Sequence, residues 1–187
     1  MWIKRFSTAG VVTAITAGVI AVAPGVAGAT TVSPAGPFTA SSSLVTFADL
    51  TNGQTFKCTG SRLTGTVSST GVLAVPAGSA TFTGCTNSLL GNFTFTQPAA
   101  WSGQIDYIGG SWKTTLTLPP ASMQIQWNSL CTMKLGGSVV STSGFQFNST
   151  GLQIGQIVGG CLGIYNPGDS WRMTVSYSLS PSLTVGP

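Results

Sequence analysis

The sequence predicts an all-β fold: a disulfide-stapled antiparallel β-sandwich or barrel built from two related β units. Three observations lead there. Apolar and polar residues alternate with period two along almost every segment, as a half-buried strand requires. Four cysteines fall in segments that echo one another. Beyond the N-terminal leader, no stretch carries a convincing helical period.

The leader itself is MWIKRFSTAGVVTAITAGVIAVAPGVAGA. Lys4 and Arg5 form a short basic region, residues 9–23 an apolar one, and Ala27-Gly28-Ala29 the small-x-small pattern of a signal peptidase site. Residues 1–29 are therefore expected to be a cleaved signal peptide, with 30–187 as one all-β domain. The apolar run is short and rich in Ala, Gly and Thr, and no later stretch is long enough to span a membrane, so no transmembrane span is expected after cleavage.

The strands then follow in order. Candidates lie near 38–48, 54–59, 62–68 and 79–86, with NFTFTQ next, facing Phe93 and Phe95 inward. Strands near 102–108 and 112–118 precede SMQIQW, whose Met123, Ile125 and Trp127 share a face. After 132–141 come FQFN, with Phe145 and Phe147, and a strand near 152–158. The clearest alternation is WRMTVSYSL, where Trp171, Met173, Val175, Tyr177 and Leu179 face one way. Between these lie turn signals: Thr51-Asn52-Gly53, Thr70-Gly71, Gly109-Gly110, Pro119-Pro120, Ser143-Gly144 and Asn166-Pro167-Gly168-Asp169. About eleven short strands at this spacing indicate a sandwich or barrel.

The echo organises the cysteines. CTGSRLTGTVSSTG begins at Cys58 and CTMKLGGSVVSTSG at Cys131. With one gap allowed in each direction, both read Cys-Thr, a basic residue with Leu, Gly, Ser/Thr with Val, then Ser-Thr and Gly. Each unit closes on a second cysteine preceded by Gly, in Gly84-Cys85 and Gly160-Cys161. Behind a signal peptide, four cysteines read as two disulfides. Of the three possible pairings the echo selects Cys58–Cys85 and Cys131–Cys161. The repeat spans about 38–100 and 112–187, and a single shared core is expected, because units of about 75 residues are small for independent cores.

Two motifs carry a resemblance. Thr83-Gly84-Cys85-Thr86 follows an alternating strand, and Gly160-Cys161-Leu162-Gly163-Ile164-Tyr165-Asn166-Pro167-Gly168-Asp169 precedes the terminal one. Over most of residues 30–187 the chain resembles a family of exported, β-rich actinobacterial proteins of unassigned function. A weaker likeness, limited to the PFTA start and the cysteine-bounded strands, is to the exported alkane-oxidation activator proteins of pseudomonads. The resemblance implies a secreted β fold and no catalytic residue.

Composition narrows the partners. Charged residues are 5% of the chain, against about 25% in ordinary domains. Beyond the leader, Lys57, Arg62, Lys113, Lys134 and Arg172 stand against Asp49, Asp106 and Asp169. The basic residues are scattered, so no patch neutralises several phosphates and nucleic acid is not a partner. Hydrophobic residues at 42% argue against disorder. A nearly uncharged surface repels its neighbours weakly, which permits association with itself or a cell wall.

Little chemistry is available. Without histidine, Ser-His-Asp and Cys-His arrangements are excluded. Without glutamate, only three carboxylates remain, and a glycosidase pair would need two of them about 5–9.5 Å apart. Asp49 and Asp169 both sit in turn contexts. Calcium needs several clustered oxygens; the nearest candidate, Asn166 with Asp169, is explained by a tight turn, so no metal or other cofactor is expected.

Trp127 and Trp171 are expected in the core. Trp101 and Trp112 sit at strand starts beside loops, and two readings apply: platforms that stack on sugar or hydrocarbon, or rings folded over the edge of the β structure. The first functional expectation is a non-enzymatic secreted or cell-envelope-associated structural protein. The alternative is an extracellular binding module for an uncharged glycan or hydrocarbon, using Trp101 and Trp112. A secreted hydrolase using aspartates ranks last.

Overall fold

The structure is a computed structural model that describes residues 29–187; the expected signal peptide, apart from Ala29, lies outside the described residues. The chain runs through β1 (Thr31–Ser33), β2 (Gly36–Ser42), β3 (Val45–Asp49), β4 (Thr55–Val67), β5 (Val72–Val75), β6 (Ala80–Asn87) and β7 (Gly91–Thr96). It continues through β8 (Trp101–Ile108), β9 (Ser111–Asn128), β10 (Cys131–Ser143), β11 (Gln146–Gly159), β12 (Ser170–Ser176), β13 (Ser178–Ser180) and β14 (Thr184–Gly186). Among the described residues there is no helix, and so none long and apolar enough to cross a membrane.

Eight strands close an antiparallel barrel in the order β3-β4-β6-β7-β9-β10-β11-β12, with β12 returning to β3. The long strands β4 and β9 outrun their first partners. Beyond Leu63↔Ala80, β4 leaves β6 and meets β5 at Thr66↔Ala74, while β9 pairs β7 over its final third and β8 over Ser111–Thr117. β5 and β8 thus continue the wall where β6 and β7 stop. β2 covers the same part of β4 and takes β13 on its outer edge, and β1 pairs β14 to join the two termini of the fold.

Direction alternates around the ring, so the connections β3–β4, β6–β7, β9–β10 and β11–β12 all leave at one end. The β8–β9 and β10–β11 turns lie at the other. Closure removes the unpaired edges that expose open sheets to aggregation.

An eight-stranded barrel has an interior just wide enough for side chains to fill, and here they fill it. Trp171, Phe47, Phe56, Ile125, Met133, Leu135 and Leu152 are fully buried, and one hydrophobic cluster joins residues of both halves of the chain. Towards the hairpin end, Phe56 stacks on Trp171 with ring centroids 4.7 Å apart and takes Phe93 edge-on at 4.7 Å. Phe47 stacks on Phe95 at 4.9 Å. Such pairs contribute roughly 0.5–1.5 kcal/mol each beyond area burial. The first and second halves of the chain share this core.

Both expected disulfides, Cys58–Cys85 and Cys131–Cys161, are formed. Cys58 lies directly opposite Cys85 on β4 and β6, so the first bridge is a cross-strand link inside the barrel. Cys131 opens β10 opposite Gly159, and its partner Cys161 lies two residues past the end of β11. The second bridge therefore ties the β11–β12 connection to the barrel rim.

The TGC motif has a local reason. In β4 the inward series moves from Cys58 to Ser61 and Leu63; in β6 it moves from Ala80 to Cys85. The pairing stays in register throughout, so both strands shift phase at the same level. Gly84 permits this with a φ of 58°, and a Cβ there would overlap the Thr59 hydroxyl.

Several expected boundaries change. The candidates at 54–59 and 62–68 are one strand, β4, and the strands either side of Pro119-Pro120 are one strand, β9. Pro119-Pro120 is not a turn between strands but a bulge within β9: Leu118 and Met123 face Gly137 and Leu135, so residues 119–122 stand against Gly136 alone and three are extra. Proline lacks the amide that a ladder needs, which confines it to such bulges and edges. The short strands β1, β5 and β14 carry too few residues to show a period.

Candidate functional site

Trp112 stands at the start of β9, at the barrel end opposite the four hairpins. Its carbonyl accepts a hydrogen bond from Gly144 N at 2.9 Å, which brings the β10–β11 turn beside it. Phe145 meets the half-buried indole edge-on at 6.1 Å. With Tyr177, Leu179 and Leu183 from the C-terminal segment, these rings line an open depression of about 320 Å³. Its polar components are Ser143, Gln146 and Ser182, and no carboxylate, Lys or Arg lines it.

Tyr177 is buried, and its hydroxyl is held 2.8 Å from Ser61 Oγ. Burial pushes this phenol well above the usual tyrosine range, while the Ser61 hydrogen bond opposes that shift. It stays neutral. The depression therefore offers ring faces, an amide and hydroxyls, which suit stacking and neutral hydrogen bonding rather than acid–base chemistry.

Trp101 is elsewhere and differently placed. It is 5% exposed, and its Nε1 donates to the Ser122 carbonyl oxygen at 3.2 Å. The expectation of an exposed stacking platform is corrected here: the strand-end ring turns inward because β9 loops out at Pro119–Ala121 and presents a carbonyl acceptor to it. Trp171 is in the core as expected. Trp127 is only partly buried, packed against the core near the rim.

The carboxylates answer the hydrolase expectation. Asp49 lies opposite Trp171 on the β3–β12 pair, and Asp169 is two residues before Trp171, so the fold gathers Asp49 and Asp169 at one corner. Both are buried. Asp49 Oδ1 accepts the backbone N–H of Thr51 at 2.8 Å and of Asn52 at 3.3 Å, while Oδ2 accepts Asn52 Nδ2 at 2.9 Å. Asp169 Oδ2 accepts Asn166 N–H at 2.7 Å, closing the Asn-Pro-Gly-Asp turn. Burial holds the Asp49 carboxyl above its ordinary value against these bonds, and the charge of Asp169 adds to that direction. The third carboxylate, Asp106, lies on β8 opposite Lys113.

Tyr165 packs beside the stacked Phe56 and Trp171, against both, and its buried hydroxyl has no hydrogen-bond partner among the described residues. Burial first, and the Asp49 charge second, push its phenol up to about 12. This corner is a braced turn pair beneath the rim, with its polar atoms withdrawn from solvent. Among the described residues no group of three or more His, Cys, Asp or Glu is placed to hold a metal ion.

Sequence reasoning placed Trp112 beside a loop but did not supply Phe145, Tyr177, Leu179 and Leu183 as its neighbours. Phe145, Tyr177 and Leu179 were legible as inward-facing strand residues. That these inward faces meet at a barrel mouth depends on ring closure, which leaves no local signal. No family model matches the chain, and neither curated proteins nor solved structures give a significant match.

Proposed function

We propose that this is a non-enzymatic structural or surface-associated protein of the cell envelope or its surroundings, exported as a closed, disulfide-stapled barrel. The observation that carries this reading is the filled interior: the barrel holds aromatic and aliphatic side chains where a ligand-carrying barrel would hold a cavity. The buried carboxylates support it, since Asp49 and Asp169 brace turns and present no oxygen to a substrate. The two disulfides fit an oxidising compartment. Fractionation of producing cells tests the reading. The expected result is protein in the envelope fraction, released by detergent or wall digestion; protein found solely as a freely soluble monomer in the medium overturns it.

A second reading has its own observation. The Trp112 depression, neutral and rimmed by Phe145 and Tyr177, favours a binding module for an uncharged ligand such as a glycan or a hydrocarbon. Trp112 is now its single tryptophan, since Trp101 is buried. Titration of tryptophan fluorescence with soluble polysaccharide and with alkane emulsions tests it: Trp112→Ala is expected to abolish the response, and an unchanged response removes the site.

A further inference from the structure

Each of the four connections at the hairpin end carries one projecting leucine. Leu50 borders the β3–β4 turn, Leu89 the β6–β7 turn and Leu130 the β9–β10 turn, and Leu162 lies in the β11–β12 connection. They are 43%, 58%, 69% and 62% exposed. We propose that this end of the barrel is an adsorption face that inserts its four leucine tips among the acyl chains of a lipid layer. The inference rests on the surface-associated reading above and names the surface and the contact.

Three features favour an apolar phase. First, residues 50–54, 88–90, 129–130 and 160–168 contain no Lys, Arg, Asp or Glu. Insertion therefore strips water from no exposed ion, which is the dominant penalty for entering lipid. The carboxylates that border the tips, Asp49 and Asp169, face inward.

Second, three of the tips have backbone donors bonded from within by one device. An Asp or Asn at the foot of the turn accepts turn N–H groups: Asp49 those of Thr51 and Asn52, Asn87 those of Leu89 and Leu90, and Asn128 that of Leu130. Around Leu162 the bond is instead Ile164 N–H to the Cys161 carbonyl at 3.2 Å. Unpaired backbone groups are what exclude loops from hydrocarbon, and these bonds lower that cost.

Third, Leu162 adopts a φ of 58°. A side chain with a Cβ is disfavoured in that left-handed region, where Gly or Asn would sit more easily. An exposed leucine held there goes against local preference without being buried in return, and such departures point to a role beyond folding.

The occupant follows from the layout. A rigid protein partner needs a continuous complementary patch of about 800 Å² on each side. Four side chains on separate apices around a rim do not make one, whereas fluid acyl chains close around separate projections. Arg172 and Lys57 are exposed on the outer wall below the Leu50 tip, but two single basic residues fall short of the about four to eight that mark an anionic-headgroup site, so the leucines carry the attraction.

The test is flotation of protein, purified as its cells produce it, with zwitterionic phosphatidylcholine vesicles. The wild type is expected to float with the vesicles at both 0.1 and 1 M salt. Leu130→Ser and Leu162→Gly are each expected to weaken partitioning about tenfold while thermal unfolding midpoints stay unchanged, or rise for Leu162→Gly. Failure of the wild type to float, or variants that float equally well, overturns the inference. So does a concentration-dependent dimer that Leu130→Ser abolishes, which would make this end a contact between copies. If vesicle binding fails while the protein still fractionates with the envelope, the inference falls and the surface reading stands. If vesicle binding holds for protein found free in the medium, the reverse applies.

Discussion

Tyr177 and Tyr165 are both buried phenols, and truncation to Phe separates them. Tyr177→Phe leaves Ser61 Oγ buried without its 2.8 Å partner, which is expected to lower stability by about 1–2 kcal/mol. Tyr165→Phe removes a hydroxyl that has no partner among the described residues and is expected to change stability by less than about 0.5 kcal/mol. Urea unfolding of the two variants makes the comparison. Alkali acts on the same pair. Folding raises the Tyr165 pKa from 10.0 to about 12 and raises Tyr177 as well. A raised folded-state pKa means that the stabilisation is complete below pH 10 and is lost as pH climbs through the folded value. The unfolding midpoint is therefore expected to fall between about pH 10 and 12, and less steeply in Tyr177→Phe. Asp49 is also raised, so its protonation favours the folded state.

At the scale of elements, the bulge in β9 and the glycine facing it form one unit. A Cβ on Gly136 would lie 2.8 Å from both the Pro119 oxygen and the Pro120 Cα, backbone atoms of a proline pair with little freedom to yield. Gly136→Ala is expected to destabilise by about 2 kcal/mol or more, read as a lower urea midpoint. The bridges act at different places. On the chain-entropy model, sequence separations of 27 and 30 make each disulfide worth about 3–4 kcal/mol. Their local consequences differ, because Cys58–Cys85 joins paired strands already held by a ladder, while Cys161 alone anchors the start of the β11–β12 connection. Hydrogen exchange of a Cys131→Ser/Cys161→Ser variant is expected to quicken first at 160–169. Equal acceleration in β4 and β6 would contradict that division.

For the whole molecule, ring closure dictates cooperativity. β3 pairs with β12 across most of the chain, and β7 and β8, from the first half, pair with β9, from the second. Neither half can satisfy its strand edges or bury its inward face alone. Calorimetry is expected to show one transition, and separate fragments 30–110 and 111–187 are expected to lack strand signal by circular dichroism; a folded fragment would show that the two halves are independent after all. The same pairing is why the two halves do not make two lobes.

The sequence alone determined what is local or periodic. Alternation marked the inward residues of β7, β12 and the second half of β9; the echo chose the disulfide pairing; turn residues marked five of the six connections named from them. It also showed a chemically sparse chain, since composition bounds what any fold can assemble. Tertiary structure decided everything that depends on which strands become neighbours. It merged pairs of expected strands into β4 and β9, because pairing carried on through irregularities that interrupt the period. It turned Trp101 inward to a carbonyl offered by the bulge. It gathered Asp49 with Asp169, and Trp112 with Phe145 and Tyr177, from segments distant in the chain. Four leucines that look unremarkable along the sequence came to one end only because strand direction alternates around a closed ring.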